Sequence, residues 1–173
     1  MARGRILLLM TLAGLLGACR PQLPAAVDYI GSEAFDGCVS LAEVSIPDTC
    51  SYIGAKAFNR CQSLQSLVVP SWTYTINPFT FSGCVSLTDI RLPAELEEIG
   101  ESAFFCCYAL KEIVIPDPVE VIGDKAFSNC MSLENIELPE NLENIVLTGE
   151  FVTADQAMEG DWQVTFPLES IRE

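Results

Sequence analysis

The chain has 173 residues, half of them hydrophobic, with 9 basic residues against 24 acidic ones and no histidine. That length supplies one domain with a continuous core, and a net charge of −15 repels nucleic acid, heparin-like polyanions and anionic headgroups. Without histidine, the usual general base near neutral pH and the commonest metal ligand are both missing.

At the N-terminus, Arg3 and Arg5 precede an apolar run from Ile6 to Leu16, which leads into Leu16-Gly17-Ala18-Cys19. These are the charged, hydrophobic and small-residue zones of a secretory signal, and the run is too short for a membrane span of about 20 residues. A cysteine directly after a small-residue site resembles the lipobox of bacterial lipoproteins. The resemblance implies that residues 1–18 are a signal peptide, that Cys19 is lipidated, and that residues 19–22 form a short tether. The alternative is an ordinary signal with a bystander cysteine. Several acyl chains on one residue hold a protein firmly to a bilayer, where one chain binds only marginally. Removal of Arg3 and Arg5 leaves 7 basic residues against 24 acidic, a net charge of about −17. Such a surface favours basic or neutral partners, or simply keeps an exported domain soluble.

Beyond the tether the chain is periodic. Ile30, Ile53, Ile76, Ile99 and Ile122 follow one another at intervals of 23 residues, with Cys38, Cys61, Cys84, Cys107 and Cys130 each eight residues later and prolines in register at Pro24, Pro47, Pro70, Pro93, Pro116 and Pro139. Three residue types holding one period without insertion make each unit a coil of a solenoid, with equivalent side chains stacked in rows. Within one coil, Leu110 to Ile115 alternates as a short strand with one face inward. Pro116 ends the strand because it donates no ladder hydrogen bond. Gly123 permits a tight turn, and Ala126-Phe127 with Cys130 predicts one turn of α- or 3-10 helix closing the coil. Each coil contributes one strand, so a parallel sheet runs along one side.

The recurring Ile-Gly, Ala-Phe, Cys and Ser-Leu elements, as in Ile53-Gly54, Ala57-Phe58, Cys61 and Ser63-Leu64, resemble the 23-residue leucine-rich repeats of the BspA-like family of bacterial surface proteins, also called the TpLRR type. The resemblance covers Leu23 to about Ile145. It implies an α/β leucine-rich repeat solenoid with a short parallel β-sheet on the concave side and short helical or 3-10 turns on the convex side. It also implies protein binding, since several members are adhesins for extracellular-matrix or plasma proteins or act in contacts between cells.

The solenoid thus occupies residues 23–146, as a half-coil beginning at Leu23-Pro24 and five 23-residue coils. Two segments depart from the register. Ile76-Asn77-Pro78-Phe79-Thr80-Phe81 replaces the usual glycine and alanine, which predicts a locally different turn. After Ile145 the register breaks: Val164, Phe166 and Pro167 look like a sixth coil, but Pro167 falls 28 residues after Pro139. Residues 147–173 are therefore an irregular sixth coil or a C-terminal cap.

Catalytic motifs are missing. No C-x-x-C pair, glycine-rich phosphate loop or G-x-S-x-G elbow is present, and no cofactor or metal is expected. Five of the eight cysteines share one repeat position, which suits a small buried hydrophobe at a coil corner. Neighbouring rungs, about 4.8 Å apart, also lie within disulfide range, so free thiols and paired ones are both open. Cys50 shares the apolar slot of Leu96, Val119 and Leu142, whereas Cys106 shares a row with Gly37, Arg60, Gly83 and Asn129, which suggests exposure.

Binding candidates come from rows that point outward. Stacking puts Glu43, Ser66, Asp89, Glu112 and Asn135 in one row of the strand face and Ser45, Val68, Arg91, Val114 and Glu137 in the next. Valines beside charges fit protein recognition better than sugar binding, which favours aromatics. Just after the prolines, Glu97, Glu120 and Glu143 form a row of like charges, and Trp72 and Tyr74 place aromatics where other coils carry small or polar residues. The sequence therefore predicts an exported lipoprotein of the bacterial outer membrane, on its periplasmic side or at the cell surface. Its partner would be an extracellular-matrix, neighbouring-cell or envelope protein. Solenoid ends expose core unless capped, so end-to-end self-association is a further expectation.

Overall fold

The structure, a computed structural model, describes residues 23–138 and the backbone of two further strands, Val146–Leu147 and Gln163–Thr165. Cys19, the predicted signal and most of residues 147–173 lie outside the described residues. Eleven short strands follow in chain order: β1 (Tyr29–Ile30), β2 (Tyr52–Ile53), β3 (Ser66–Val68), β4 (Thr75–Ile76), β5 (Asp89–Arg91), β6 (Glu98–Ile99), β7 (Glu112–Val114), β8 (Val121–Ile122), β9 (Asn135–Glu137), β10 (Val146–Leu147) and β11 (Gln163–Thr165). All pairings are parallel and join strands one coil apart, with Ile76 opposite Ile99 and Ile99 opposite Ile122. The 23-residue register is thus the geometric period of a parallel β-solenoid.

From Ser66 on, each coil carries two strands on two different ladders, where the sequence predicts one; the coil before it has β2 with single bridges at Leu41 and Ser45. Three-residue strands pair as β3 with β5 and as β7 with β9 and β11, and two-residue strands pair as β1 with β2 and in the order β4, β6, β8, β10. A proline turn links the two strands of a coil. The carbonyls of Pro47, Pro70, Pro93 and Pro116 each accept the N–H three residues on, at 2.9–3.1 Å. The turn carries the chain from one ladder to the other and gives proline a position that needs no N–H. At the C-terminal end the spacing changes: Val164 lies opposite Ile136, 28 residues away, and Leu147 lies opposite Ile122, 25 away.

The expected helical or 3-10 turn after each glycine is not formed; no helix occurs among the described residues. In its place stands a six-residue run of turns, such as Ala55–Arg60. Alternate amides in that run leave their own coil: Lys56, Phe58 and Arg60 donate to the carbonyls of Pro78, Thr80 and Ser82, while Ala57 and Asn59 bond three residues back. Two residues of every run also have positive φ, at Lys56 (58°) and Arg60 (59°) and at their equivalents in other coils. A left-handed residue cannot continue a right-handed helix, and each outward amide forms a bond between coils that a helix would have kept inside one.

Packing follows the rows. Phe35, Phe58, Phe81, Phe104 and Phe127 stack with ring centroids 5.1–5.7 Å apart, and the isoleucine, leucine and cysteine rows close around them. Full burial of one such aromatic stabilises by about 1.5–3 kcal/mol. The distinctive third coil keeps its turn run at residues 78–83, so the expected distortion is confined to one bond. Gly54, Gly100 and Gly123 donate their backbone N–H to the isoleucine carbonyl of the preceding coil at 2.7–2.8 Å. At Asn77 the side-chain amide makes that bond, to Ile53 O at 2.7 Å.

Candidate protein-binding surfaces

The three-residue ladder sorts its side chains by pleat. In β3, β5 and β7 the middle residue is buried and both flanking residues are exposed, the consequence of period-two alternation over a one-sided core. Ser66, Val68, Asp89, Arg91, Glu112 and Val114 therefore share one outward face. The equivalent Glu43, Ser45 and Glu137 are also exposed, and Asn135 is half-buried. Val68 and Val114 are 62% and 57% exposed, high for β-branched apolar side chains, and they flank Arg91 in the row. The face therefore offers two apolar contacts separated by a guanidinium and bordered by carboxylates. That mixture can bury area and still impose electrostatic selection on what it meets.

Trp72 and Tyr74 belong to the other side of the coil. Both follow Pro70 and lead into β4 on the two-residue ladder, with Trp72 60% and Tyr74 41% exposed. The fold brings them next to a pair that periodicity analysis overlooked: Tyr29 and Tyr52, stacked at 4.9 Å with an interplanar angle of 3°. Their shared position immediately before the repeat isoleucine was the available signal. Four exposed aromatics thus lie on the first three coils of this ladder, and glutamates take over on the fourth.

Among the described residues, Cys50, Cys61, Cys84, Cys106, Cys107 and Cys130 are free thiols. Cys61, Cys84, Cys107 and Cys130 are fully buried, as is Cys50 in its apolar slot, whereas Cys38 and Cys106 are half-buried. Burial pushes the Cys84 and Cys130 thiols from the ordinary 9.0 up to about 12, and raises those of Cys50, Cys61 and Cys107 as well. A thiol kept protonated in this way is a poor nucleophile and a poor metal ligand. Cys106 shares a side-chain hydrogen bond with Tyr108, which raises the phenol above its ordinary value. Among the described residues no group of three histidine, cysteine, aspartate or glutamate side chains is placed to hold a metal ion, and no helix is long and apolar enough to cross a membrane.

Comparison with known proteins agrees with the register. The family described as BspA type leucine rich repeat region matches residues 22–148 in 6 copies. Among solved structures, the chain is similar to a leucine-rich repeat protein from Bacteroides ovatus, with 36% identity and a TM-score of 0.73 over 81% of this chain and 38% of that one. It is also similar to the leucine-rich repeat protein of T. pallidum, TpLRR, with 33% identity and a TM-score of 0.67 over 77% of this chain and 70% of that one. A leucine-rich cell surface protein from Faecalibacterium prausnitzii is 32% identical, with a TM-score of 0.52 over 68% of this chain and 38% of that one. The chain thus spans little more than a third of the Bacteroides protein. No curated protein matches it.

Proposed function

Because this chain belongs to the BspA-type leucine-rich repeat family, we propose that it is an exported protein that acts by binding another protein through the outward rows of its three-residue ladder. Leucine-rich repeat proteins are typically non-catalytic scaffolds for protein interaction, and the absence of histidine from the sequence is in keeping with that role. The observation that carries the reading is the exposure of Val68 and Val114 on either side of Arg91.

The proposed partner is an extracellular-matrix or neighbouring-cell protein, and the description of the Faecalibacterium relative as a cell surface protein supports an adhesive role. A second reading is an envelope scaffold on the periplasmic side of the outer membrane. The three residues between Cys19 and Leu23 favour it, since a lipid on Cys19 would hold the first coil close to the bilayer. In either case the ten candidate strand residues fall short of the roughly 20–30 residues a side of a standard interface. The partner must therefore reach beyond this face, bind weakly, or meet an assembly of copies.

Three variants test the surface. Arg91→Ala, Glu112→Ala and Val114→Asp should each weaken capture of a partner from host or envelope extracts while leaving the unfolding midpoint unchanged; an undiminished affinity in all three removes this face as the site. Protease treatment of intact cells separates the two readings, since an adhesin is cut and a periplasmic scaffold is spared. Cys19→Ala should release the protein from membranes, and continued membrane association of that variant would sink the lipid anchor.

A further inference from the structure

The two-residue ladder carries a surface that the strand-face reading does not use. Its outward positions change chemistry between the third and fourth coils. The third coil presents Trp72, Tyr74 and Thr75, and the fourth presents Glu95, Glu97 and Glu98 at the equivalent positions. The backbone fixes this join: the Tyr74 carbonyl accepts the N–H of Glu97 at 2.8 Å and of Glu98 at 3.2 Å, and Thr75 pairs with Glu98 in the ladder. Equivalent residues on adjacent strands sit about 4.8 Å apart. Trp72 therefore neighbours Glu95, and Tyr74 neighbours Glu97.

The exposed aromatics nominate the seam, and charge selects its occupant. Trp72 is 60% open to solvent and Tyr74 beside it 41% open, and both residue types are enriched at protein interfaces. None of the four exposed glutamates Glu95, Glu97, Glu98 and Glu120 joins an ion pair among the described residues, where Lys56, Arg60 and Lys125 pair with Glu33, Asp36 and Asp124. Like charges one rung apart repel, so a cation arriving here gains on two counts: it relieves the carboxylates and meets an aromatic face. Guanidinium suits both contacts, because it is planar enough to stack and forked enough to bond a carboxylate twice, whereas an ammonium is a strongly hydrated point charge. The stacked Tyr29 and Tyr52 have already turned their rings toward each other, which leaves the third coil as the place for a ligand to stack.

We propose that the seam between the third and fourth coils docks an arginine-bearing, extended segment of a protein partner, the guanidinium lying on Trp72 or Tyr74 and bonded to Glu95 or Glu97. The site is separate from the strand face, so each stands or falls independently.

The test uses the full chain and three labelled heptapeptides of one sequence, carrying two arginines, two lysines, or two citrullines in their place, with binding read by fluorescence anisotropy. The arginine peptide should bind about fivefold more tightly than the lysine peptide, and the citrulline peptide more weakly than both. Trp72→Ala should weaken arginine-peptide binding by about fivefold, and the double variant Glu95→Gln, Glu97→Gln by at least as much. Glu112→Gln, on the strand face, should leave it unchanged. Equal binding of the arginine and lysine peptides, or indifference to Trp72→Ala, would mean diffuse attraction to an acidic chain and overturn the proposal. Loss of binding in Glu112→Gln would move the cationic site to the strand face and overturn it equally. All these substitutions are at exposed positions, and unchanged thermal unfolding verifies that the fold survives them.

Discussion

The thiol of Cys84 donates a hydrogen bond to the carbonyl oxygen of Phe58, 3.2 Å away in the preceding coil. Cys61, Cys107 and Cys130 do the same toward Phe35, Phe81 and Phe104 at 3.1–3.2 Å, so the cysteine row ties coil to coil with a weak donor small enough for a fully closed corner. In an exported chain, repeated cysteines would ordinarily indicate disulfides. Here each of these sulfurs points to a backbone oxygen of the preceding rung and not to another sulfur.

These buried thiols make stability fall in alkali. The folded-state value of Cys84 and Cys130 is about 12, against 9.0 for an ordinary thiol, so above pH 9 the unfolded chain loses protons that the folded chain keeps. The stability is fully present below pH 9 and is lost as pH rises toward 12, by about 1.4 kcal/mol per pH unit for each such thiol. Urea midpoints measured from pH 7 to 11 should drop steeply beyond 9, and Cys84→Ala should flatten that slope even as it lowers the midpoint at pH 7. A slope identical in the variant would mean that the thiol titrates normally in the fold. Iodoacetamide at pH 8 should modify Cys106 in the native protein while leaving Cys61, Cys84, Cys107 and Cys130 untouched.

The glycine row makes a sharper demand on the backbone. A Cβ on Gly100 would lie 2.8 Å from Pro78 N and 2.9 Å from Ile76 O, both main-chain atoms of the preceding coil that cannot swing aside. Gly100→Ala should therefore cost about 2–4 kcal/mol. Asn77 occupies the same row and replaces the glycine N–H with its side-chain amide on Ile53 O, so Asn77→Ala should cost about 1–2 kcal/mol through the stranded carbonyl. Asn77→Gly should cost less than Asn77→Ala, because a glycine backbone can approach and restore the bond. Chemical denaturation of the three variants checks the order. A milder effect for Asn77→Ala than for Asn77→Gly would show that the side-chain bond contributes nothing.

How much of this was legible in the sequence depends on what each feature rests on. The rows of Ile99, Leu96 and Cys107 were legible because period and hydrophobicity alone place them, and burial at 0% is what stacking requires. The turn run was misread as helical because Ala126, Phe127 and Cys130 have spacings that a helix and a turn run both satisfy. What separates the two is the positive φ in two rows: one, Glu33, Lys56, Phe79, Ser102 and Lys125, contains no glycine to signal the left-handed backbone, and the other signals it only at Gly37 and Gly83. The second strand was missed because two residues give no alternation to detect. On the candidate surfaces, single-residue exposure followed from the pleat, whereas the Tyr29–Tyr52 stack and the junction of Tyr74 with Glu97 exist only once the coils are aligned side by side.

Thr73 is the clearest local conflict between side chain and surroundings. It occupies the slot filled elsewhere by Val27, Cys50, Leu96 and Val119, is 1% exposed, and its hydroxyl oxygen finds no hydrogen-bond partner. Burial of an unsatisfied hydroxyl costs about 1–3 kcal/mol. Thr73→Val keeps the branched shape and removes that cost, so it should raise stability by about 1 kcal/mol in urea denaturation. A destabilised Thr73→Val would reveal that the hydroxyl is satisfied in solution.

The phenylalanine stack predicts how damage depends on position along the solenoid. Phe104 lies between Phe81 at 5.5 Å and Phe127 at 5.3 Å, whereas Phe35 has a single stacked partner, Phe58 at 5.1 Å. Truncation of a buried phenylalanine costs about 3–5 kcal/mol, and each ring contact adds about 0.5–1.5 kcal/mol beyond area. Coils of a solenoid couple only to their neighbours, so loss of Phe104 weakens two interfaces and loss of Phe35 weakens one. Phe104→Ala should therefore destabilise by about 1 kcal/mol more than Phe35→Ala and should broaden the unfolding transition, as the coils on either side begin to melt separately. Equal losses from the two variants, with unchanged steepness, would show that the coils unfold as one unit whose cohesion does not pass through the ring stack.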